Sequence, residues 1–273
     1  MIQPSTEQLQ TLGFVERFWF RVADFVLRFL QPICIIWNRL FMVHFSWMLT
    51  GSRVKVRGLE NLKGLGKTDC VVFAANHRSF FDFFVIGPIL YTQTGLSKHI
   101  LFPVRAPFFY DRWMGGVINA VMSAFFMFPP IVRDKSKRSF NGYALDRMVA
   151  ELERPGQQLG IHPEGTRGKG PDPHVLLRVQ PGVGIVLSRS HHTVAVPIFI
   201  TGLSNNMVGE FRKTWSGDRD KHPIDVWFGP VQTFDDLRAK GERITVQMEI
   251  AQRVMDGVQD LANAHKLEFC AEE

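Results

Sequence analysis

Beyond Gly51 the chain alternates between short runs rich in β-branched and aromatic residues and longer runs of helical character. The runs typical of buried strands are 53–56, 70–75, 99–104, 125–132, 157–162, 194–200 and 224–228. Helical runs lie between several of them and near the C-terminal end, at 80–91, 107–122, 140–153, 181–189 and 243–264. Strands that alternate with helices are typical of an α/β domain. We therefore predict an α/β fold with a mixed, largely parallel sheet flanked by helices.

The first fifty residues have a different character, since ten of them are aromatic, whereas aromatic residues make up 12% of the whole chain. In the run 14–30, four polar residues recur at helical spacing and form one narrow stripe: Arg17, Arg21, Asp24 and Arg28. Pro32 interrupts this pattern. The run 33–50 that follows is mostly apolar, but it is a poor spanning helix because it contains Asn38, Arg39 and His44.

We predict that residues 1–51 form an amphipathic, aromatic helical hairpin that dips into one leaflet of a membrane, and that residues 52–273 form the α/β domain. The alternative is a pair of helices that pack on the protein's own core. The first ten residues are polar and no secretory cleavage pattern follows them. The three cysteines are widely spaced and odd in number, which is typical of a reducing compartment. The expected location is the cytoplasmic face of a membrane.

Positive charge is concentrated in the middle of the chain. Between residues 98 and 140 there are seven Lys or Arg and two Asp, a balance of 7 − 2 = +5, while the whole chain carries +6. A basic stretch attracts phosphates, whether on nucleic acid, lipid headgroups or coenzyme A, and the alternative is a solvated basic face. No nucleic-acid-binding motif accompanies the sequence pI of about 9.4, so no nucleic-acid partner is predicted.

The first candidate site follows the predicted strand 70–75 and reads Asn76-His77-Arg-Ser-Phe-Phe-Asp82. The two side chains can meet if His77 lies in the turn and Asp82 in the first turn of a helix. The carboxylate would then fix the imidazole tautomer and leave the other ring nitrogen as a general base. No G-x-S-x-G nucleophile is present, so this base would act directly on a substrate hydroxyl. The alternative is a histidine that caps or packs near a helix start.

The second candidate site follows the predicted strand 157–162 and reads Ile161-His-Pro-Glu-Gly-Thr-Arg167. Gly165 lets the backbone approach a ligand closely, and Thr166 and main-chain amides can donate hydrogen bonds. Arg167 can hold a phosphate with two parallel hydrogen bonds. The segment is therefore predicted to bind an anion, and the alternative is a solvent-exposed hairpin turn.

Together, Asn-His-x4-Asp and, about ninety residues later, Pro-Glu-Gly-Thr-Arg resemble the signature pair of the glycerolipid (lysophosphatidic acid) acyltransferase family. The resemblance extends from about Val54 to Gly202. It includes Val196-Pro197-Ile198, which is similar to the family's fourth block, and 131–134, which is similar to its second block. The resemblance implies acyl transfer from a thioester of coenzyme A or acyl carrier protein to a lipid hydroxyl. The best match is 1-acylglycerol-3-phosphate O-acyltransferase, which makes phosphatidic acid.

The resemblance also implies a role for each matching residue. His77 would deprotonate the acceptor hydroxyl and Asp82 would orient it. The acceptor phosphate would be held by Glu164, Gly165, Thr166, Arg167 and Arg133, and Asn76 and Arg105 would join the substrate-binding group. No metal or prosthetic group is required by this chemistry. One departure is His162, which stands where the family commonly has an aromatic residue.

The expected partners are a lipid bilayer, a lysophospholipid acceptor, and acyl-CoA or acyl carrier protein as donor. Two other readings remain open at this stage. The same chemistry could act on another lipid, such as a lyso-ornithine lipid, a different lysophospholipid or a glycolipid. The chain could also be a non-catalytic membrane-binding module that kept the fold, although the intact motifs weigh against this.

Overall fold

The computed structural model describes residues 2–132, 134–217 and 219–270. The strands found among them are β1 Val54–Arg57, β2 Cys70–Ala75, β3 His99–Leu101, β4 Val104–Arg105, β5 Pro130–Ile131, β6 Gln157–Ile161, β7 Thr193–Thr201 and β8 Ile224–Phe228. The α-helices are α1 Thr6–Gln10, α2 Phe14–Phe29, α3 Gln31–Thr50, α4 Asp82–Gln93, α5 Ala106–Phe109, α6 Trp113–Ser123, α7 Arg138–Leu152, α8 Gly182–Arg189, α9 Met207–Trp215, α10 Asp235–Arg238 and α11 Ile244–Cys270.

The central sheet has the strand order β1-β8-β7-β2-β6-β3. Strands β7 and β8 pair antiparallel, and the other neighbours in this sheet are parallel. A short parallel pair, β4 and β5, lies apart from it. All six residues of β2 are buried, as expected for a central parallel strand that is covered on both faces. The predicted mixed, largely parallel sheet flanked by helices is confirmed.

Three predicted elements are interrupted, and helices α1, α9 and α10 were not predicted. The run 99–104 is divided into β3 and β4, which belong to different sheets. The run 125–132 contains only the short β5, because Ala124 and Phe125 adopt positive φ of 45° and 65° and adjacent prolines follow. The helical run 107–122 is divided into α5 and α6. Helix α9 is short and carries an early glycine, so its pattern is weak. Its N-cap is Asn206, whose side chain accepts a hydrogen bond from the Gly209 amide.

The two N-terminal helices pack on the α/β domain. Pro32 lies in the first turn of α3, where its missing amide hydrogen costs no helical hydrogen bond. Helix α3 contacts α4, α6 and α9, while α2 contacts α3. The apolar core runs without a break from the N-terminal helices into the sheet. The composition therefore changes at residue 51, but the same apolar core continues on both sides of it.

Part of the polar stripe of α2 points into the protein. The Asp24 carboxylate lies 2.6 Å from Nη1 of Arg147 on α7, a residue whose side chain is 0% exposed. Nε of Arg147 lies 2.7 Å from the Glu151 carboxylate. About two turns closer to the start of α2, the Glu16 carboxylate lies 2.6 Å from Nζ of Lys137. These ion pairs join α2 to α7 and to the turn before it, so Asp24 does not face outward as a surface stripe would require.

The outward faces of α2 and α3 are mostly apolar, although Arg21, Arg39 and His44 are also exposed. On α3 the buried positions include Gln31, Asn38, Ser46 and Thr50, whereas Ile33, Ile36, Trp37, Leu40, Trp47 and Met48 are exposed. On α2 the exposed side chains include Phe14, Phe18, Phe25 and Phe29. The segment Gln31–Arg53 is long and apolar enough to cross a membrane, a criterion that some core helices of soluble proteins also meet.

Candidate active site

The two sequence motifs meet because their strands are neighbours in the sheet. Strand β2 pairs in parallel with β6, with Ala74 opposite Ile161. The segments that follow leave the same edge of the sheet side by side, as parallel strands require. The backbone amide of Gly168 then donates to the carbonyl oxygen of His77 at 2.8 Å. Two motifs that lie far apart in sequence therefore form one site.

His77 and Asp82 form a hydrogen-bonded pair. Nδ1 of His77 lies 3.0 Å from Oδ2 of Asp82, whose side chain is 1% exposed, while the His77 side chain is 21% exposed. Asp82 opens helix α4, and its carboxylate also accepts hydrogen bonds from the backbone amides of Arg78 and Ser79 at 3.0–3.1 Å. A carboxylate only accepts, so Nδ1 carries the hydrogen and Nε2 remains unprotonated. The arrangement leaves Nε2 available as a base.

Burial and neighbouring charges keep this base neutral. Desolvation, followed by the cations of Arg167 and Arg105, lowers the pKa of His77 to about 3. Burial raises the pKa of Asp82 to about 6, although the neighbouring His162 and the backbone amides of Ser79 and Arg78 oppose that shift. At neutral pH the pair is therefore a neutral imidazole beside a carboxylate, which is the state that can accept a proton from a substrate.

Glu164 braces the loop that follows β6. Its Oε2 accepts from the backbone amide of His77 at 2.6 Å, and its Oε1 accepts from the amide of Leu177 at 2.7 Å. The residue is 2% exposed, and burial raises its pKa. A buried carboxylate whose two oxygens bind backbone amides would repel a phosphate. The geometry therefore differs from the phosphate-binding role predicted for Glu164 and makes it a structural link between the two motifs.

Asn76 also faces inward. Its Nδ2 donates to the Ile200 carbonyl at 2.9 Å, and its Oδ1 accepts from the Ile200 amide at 2.7 Å. The side chain is 0% exposed, so it extends the hydrogen bonding between β2 and β7 by one residue. This differs from the predicted substrate-binding role, because a fully buried amide with both ends bonded does not reach a ligand. Asn76 instead fixes the start of the turn that carries His77.

The cationic side chains lie on the open side of the site. Nη1 of Arg167 donates to Oδ1 of Asn205 at 2.7 Å, and Arg167 is exposed. Nη2 of Arg105 donates to the Gly165 carbonyl, which brings the β4 end to the same loop. Gly165 adopts a positive φ of 62°, a conformation that favours glycine. Thr166, which follows Gly165 in the chain, is half-buried. Arg133, the remaining predicted phosphate ligand, lies outside the described residues.

His162 is the feature that the sequence did not predict. Its ring lies against the His77 ring, with centroids 3.8 Å apart and planes 12° from parallel. Its Nδ1 lies 2.9 Å from the Ala75 carbonyl and 3.0 Å from the Asn76 carbonyl. The only sequence signal was the unusual residue type at this position, which did not indicate a contact with the base.

His77, Asp82 and His162 each offer a possible metal-ligand atom within 4.8 Å of the others. The ring geometry does not suit a shared ion. Lone pairs of stacked rings only 12° from parallel run side by side and do not converge on one point. Nδ1 of His77 and Nδ1 of His162 are also committed to hydrogen bonds with Asp82 and with backbone carbonyls. The cluster is better suited to proton transfer than to metal binding.

The His77–Asp82 pair, beside a cationic loop at the carboxyl edge of a largely parallel sheet, is accompanied by a family match. The sequence model described as acyltransferase matches residues 53–201, which is 149 of the 273 residues. The chain therefore belongs to the acyltransferase family, and acyl transfer is its class of reaction. His77, Asp82 and Arg167 all lie inside the matched range. A search of curated proteins finds no match for the chain.

Proposed function

We propose that this acyltransferase works at a membrane surface and moves a fatty acyl group from a thioester donor to the hydroxyl of a lysophospholipid. The acceptor that fits best is 1-acylglycerol-3-phosphate, and the product is then phosphatidic acid. The observation that carries this proposal is the hydrogen-bonded pair of a neutral His77 and the Asp82 carboxylate, with the cations of Arg167 and Arg105 close enough to lower the pKa of His77. A base next to cations suits a substrate that has both a hydroxyl and a phosphate.

The proposed reaction needs one base and no covalent enzyme intermediate. Nε2 of His77 takes the proton of the acceptor hydroxyl as its oxygen attacks the thioester carbonyl carbon. Asp82 stabilises the imidazolium through the 3.0 Å contact to Nδ1. The carbon–sulfur bond then breaks, and the departing sulfur receives the proton from Nε2. The products are an ester and a free thiol of coenzyme A or acyl carrier protein, and His77 returns to its neutral form.

The cationic loop supports a phosphate as the recognised group. Arg167 is exposed, and Arg105 reaches the same loop from β4. The Asn205 carboxamide, which also accepts from the Phe80 amide at 2.8 Å, holds Arg167 above the start of α4. A guanidinium that is held in place loses less entropy when it binds a phosphate with two hydrogen bonds. We keep Gly165, Thr166, Arg167 and Arg105 as the proposed phosphate-binding group.

A continuous apolar surface supports action on a membrane. The outward faces of α2 and α3 are joined by exposed apolar residues of α6 and α9. The ring centroids of Trp113 on α6 and Phe18 on α2 are 5.0 Å apart, and those of Trp215 on α9 and Trp47 on α3 are 5.3 Å apart. The exposed members on α6 and α9 are Trp113, Met114, Val117, Val121, Met207, Val208, Phe211 and Trp215. Contiguous exposed apolar patches mark surfaces that bind proteins or membranes.

The apolar surface reaches the edge of the site. Phe108, which is 47% exposed, has its ring 6.1 Å from the ring of Phe80. Phe80 lies in the turn between His77 and Asp82, so the two surfaces share a border. A lipid acceptor in the leaflet that faces the protein would therefore present its headgroup to the base without leaving the membrane completely.

The direct test is product identification. Purified protein is incubated with a panel of lysophospholipids, a lyso-ornithine lipid and a glycolipid, each with palmitoyl-coenzyme A or palmitoyl-acyl carrier protein. The lipid products are then identified by mass spectrometry. We expect phosphatidic acid from 1-acylglycerol-3-phosphate to be the main product. A product formed mainly from an acceptor without a phosphate monoester would contradict the proposed acceptor. Absence of any acylated lipid with every pair would contradict the proposed lipid specificity.

Replacing Arg167 tests the phosphate site. We expect Arg167→Ala to raise the KM of a short-chain, soluble acceptor by about 10- to 100-fold, because a charge-assisted hydrogen bond is lost, and to change the donor KM little. Arg167→Lys should recover part of the loss, since a point charge replaces a planar group with two parallel donors. The matched control is Lys169→Ala, an exposed cation on the same loop. An increase confined to the donor KM would instead assign the loop to the donor's phosphates.

Replacing exposed residues of α3 tests the membrane surface. Ile33, Ile36 and Leu40 are 62%, 60% and 59% exposed, and we expect their joint change to serine to weaken binding to phosphatidylglycerol vesicles. Each aliphatic side chain moved out of water contributes about 1.5–3 kcal/mol, so the partition coefficient should fall by at least about 100-fold. The control carries serine at Val175, Ile244 and Leu267, which are 64%, 78% and 73% exposed. Equal flotation of both variants would contradict membrane docking through α3.

A further inference from the structure

The His162 ring contacts two aromatic groups. It stacks on His77 with ring centroids 3.8 Å apart, and its centroid lies 4.7 Å from that of the tilted Phe83 ring. Phe83 reaches this place because residue 160 is glycine: a Cβ atom there would lie 2.5 Å from the Phe83 ring. The position of His162 is therefore set by β6, which carries Gly160 and leads into His162, and by α4, which carries Phe83.

Hydrogen bonds fix the orientation of the same ring. Nδ1 of His162 faces the carbonyl oxygens of Ala75 and Asn76 at 2.9 and 3.0 Å. Carbonyl oxygens only accept, so Nδ1 carries a hydrogen and Nε2 carries none in the neutral ring. Burial, followed by the neighbouring His77, lowers the pKa of His162 to about 3, which keeps the ring neutral at pH 7. His162 thus contacts both the backbone just before His77 and the face of the His77 ring.

The stacking is better suited to the protonated base than to the neutral one. Neutral aromatic rings prefer offset or edge-to-face contacts at 4.5–7 Å over close face-to-face stacking. A cation within about 6 Å of the face of a neutral ring is attracted to it. Proton transfer to His77 converts the pair from two neutral rings into an imidazolium over a neutral imidazole. The contact therefore becomes more favourable as the reaction proceeds, which is the condition for lowering a barrier.

We propose that His162 is a positioning residue for His77: a neutral, flat support that holds the plane of the base and stabilises it once it carries the substrate's proton. His162 would act through His77 and not by contact with either substrate. The inference rests on the proposed role of His77 as the base. It also accounts for a histidine in this half-buried place, since the N–H group at Nδ1 binds backbone carbonyls while the ring face stacks on His77.

Three substitutions separate the ring face from the hydrogen bond. His162→Phe keeps a flat face and loses the N–H donor, His162→Asn keeps a donor close to the position of Nδ1 and loses the face, and His162→Ala loses both. We expect kcat to fall by about 10- to 100-fold in the Ala and Asn variants, as for a base displaced by a fraction of an ångström. The Phe variant should remain within about threefold of wild type, and both KM values should change by less than about twofold in all three.

The controls make each outcome decisive. His99→Ala removes a half-buried histidine from β3, the strand beside β6, and should leave kcat unchanged. A wild-type kcat in His162→Ala, or recovery by Asn and not by Phe, would overturn the proposal. Increased KM values with an unchanged kcat would also overturn it, since His162 would then line a substrate pocket. If the Ala variant melts below the assay temperature, the comparison of Phe with Asn decides. A fully active His77→Ala variant would instead refute the base assignment itself.

Discussion

His77→Ala is expected to reduce acyl transfer by about 10²- to 10⁴-fold, the usual contribution of a positioned base. The imidazole is the neutral ring hydrogen-bonded to Asp82, and its Nε2 is the atom left to accept a proton. The melting temperature should change little, because the side chain is 21% exposed and packs mainly on His162. The measurement is the steady-state rate with a soluble acceptor and palmitoyl-coenzyme A.

Residual activity decides whether His77 is the base. The His99→Ala variant serves as the control for loss of an imidazole elsewhere in the sheet. More than about a tenth of the wild-type turnover in His77→Ala would be too much for a protein that has lost its general base, and the assignment would be abandoned. Retention of only trace activity, together with an unchanged acceptor KM, would agree with a role in chemistry and not in binding.

Asp82→Asn should be the second most damaging change, with a loss of about 10²- to 10⁴-fold in kcat. The two Asp82 oxygens accept from Nδ1 of His77 and from the amides of Arg78 and Ser79. An asparagine must turn its NH₂ group toward some of these donors, so either the ring contact or the turn is lost. The matched control is Asp69→Asn. The Asp69 carboxylate of the wild-type protein also accepts a hydrogen bond from a backbone amide, that of Gly66, in another loop.

The pH dependence gives the same carboxylate a second test. Burial raises the pKa of Asp82 to about 6, so lowering the pH through that value protonates the carboxylate and removes its support for the imidazolium. We expect kcat/KM to fall below pH about 6 as an effect on the His77–Asp82 pair. A phosphate monoester on the acceptor also titrates near pH 6. An acid limb that persists unchanged in Asp82→Asn would therefore belong to the substrate and not to Asp82.

The central part of the fold could be read from sequence because buried parallel strands are continuous apolar runs. Strands β2 and β8 have the predicted bounds, and the two motifs were expected at strand ends. The predicted partnership of His77 with Asp82 is a local contact across one turn, so the spacing was enough to suggest it. The strand between 125 and 132 was wrong over most of its length, because positive φ angles at Ala124 and Phe125 reverse the chain there.

Contacts across the sheet could not be read in this way. A sequence shows that Glu164 lies in a polar loop, but not that its two oxygens bind the amides of His77 and Leu177. The stacking of His162 on His77 depends on the register of β2 with β6 and on a glycine that admits Phe83. These distances arise from tertiary packing, which spacing along the chain does not specify.

The ion pair between Asp24 on α2 and Arg147 on α7 bears on how the proposed membrane attachment could be removed while the fold is kept. Cutting off residues 1–50 would take Asp24 away from a guanidinium that is 0% exposed. Arg147 would keep Glu151 as a partner, but α2 and α3 also contribute core side chains such as Phe20, Leu27 and Met42, which are 2% exposed or less. Truncation would therefore expose the apolar surface that these side chains cover and lower the stability of the protein. Exchanging outward residues such as Ile33, Ile36 and Leu40 for polar ones leaves that pair intact and is the better route to a water-soluble catalyst.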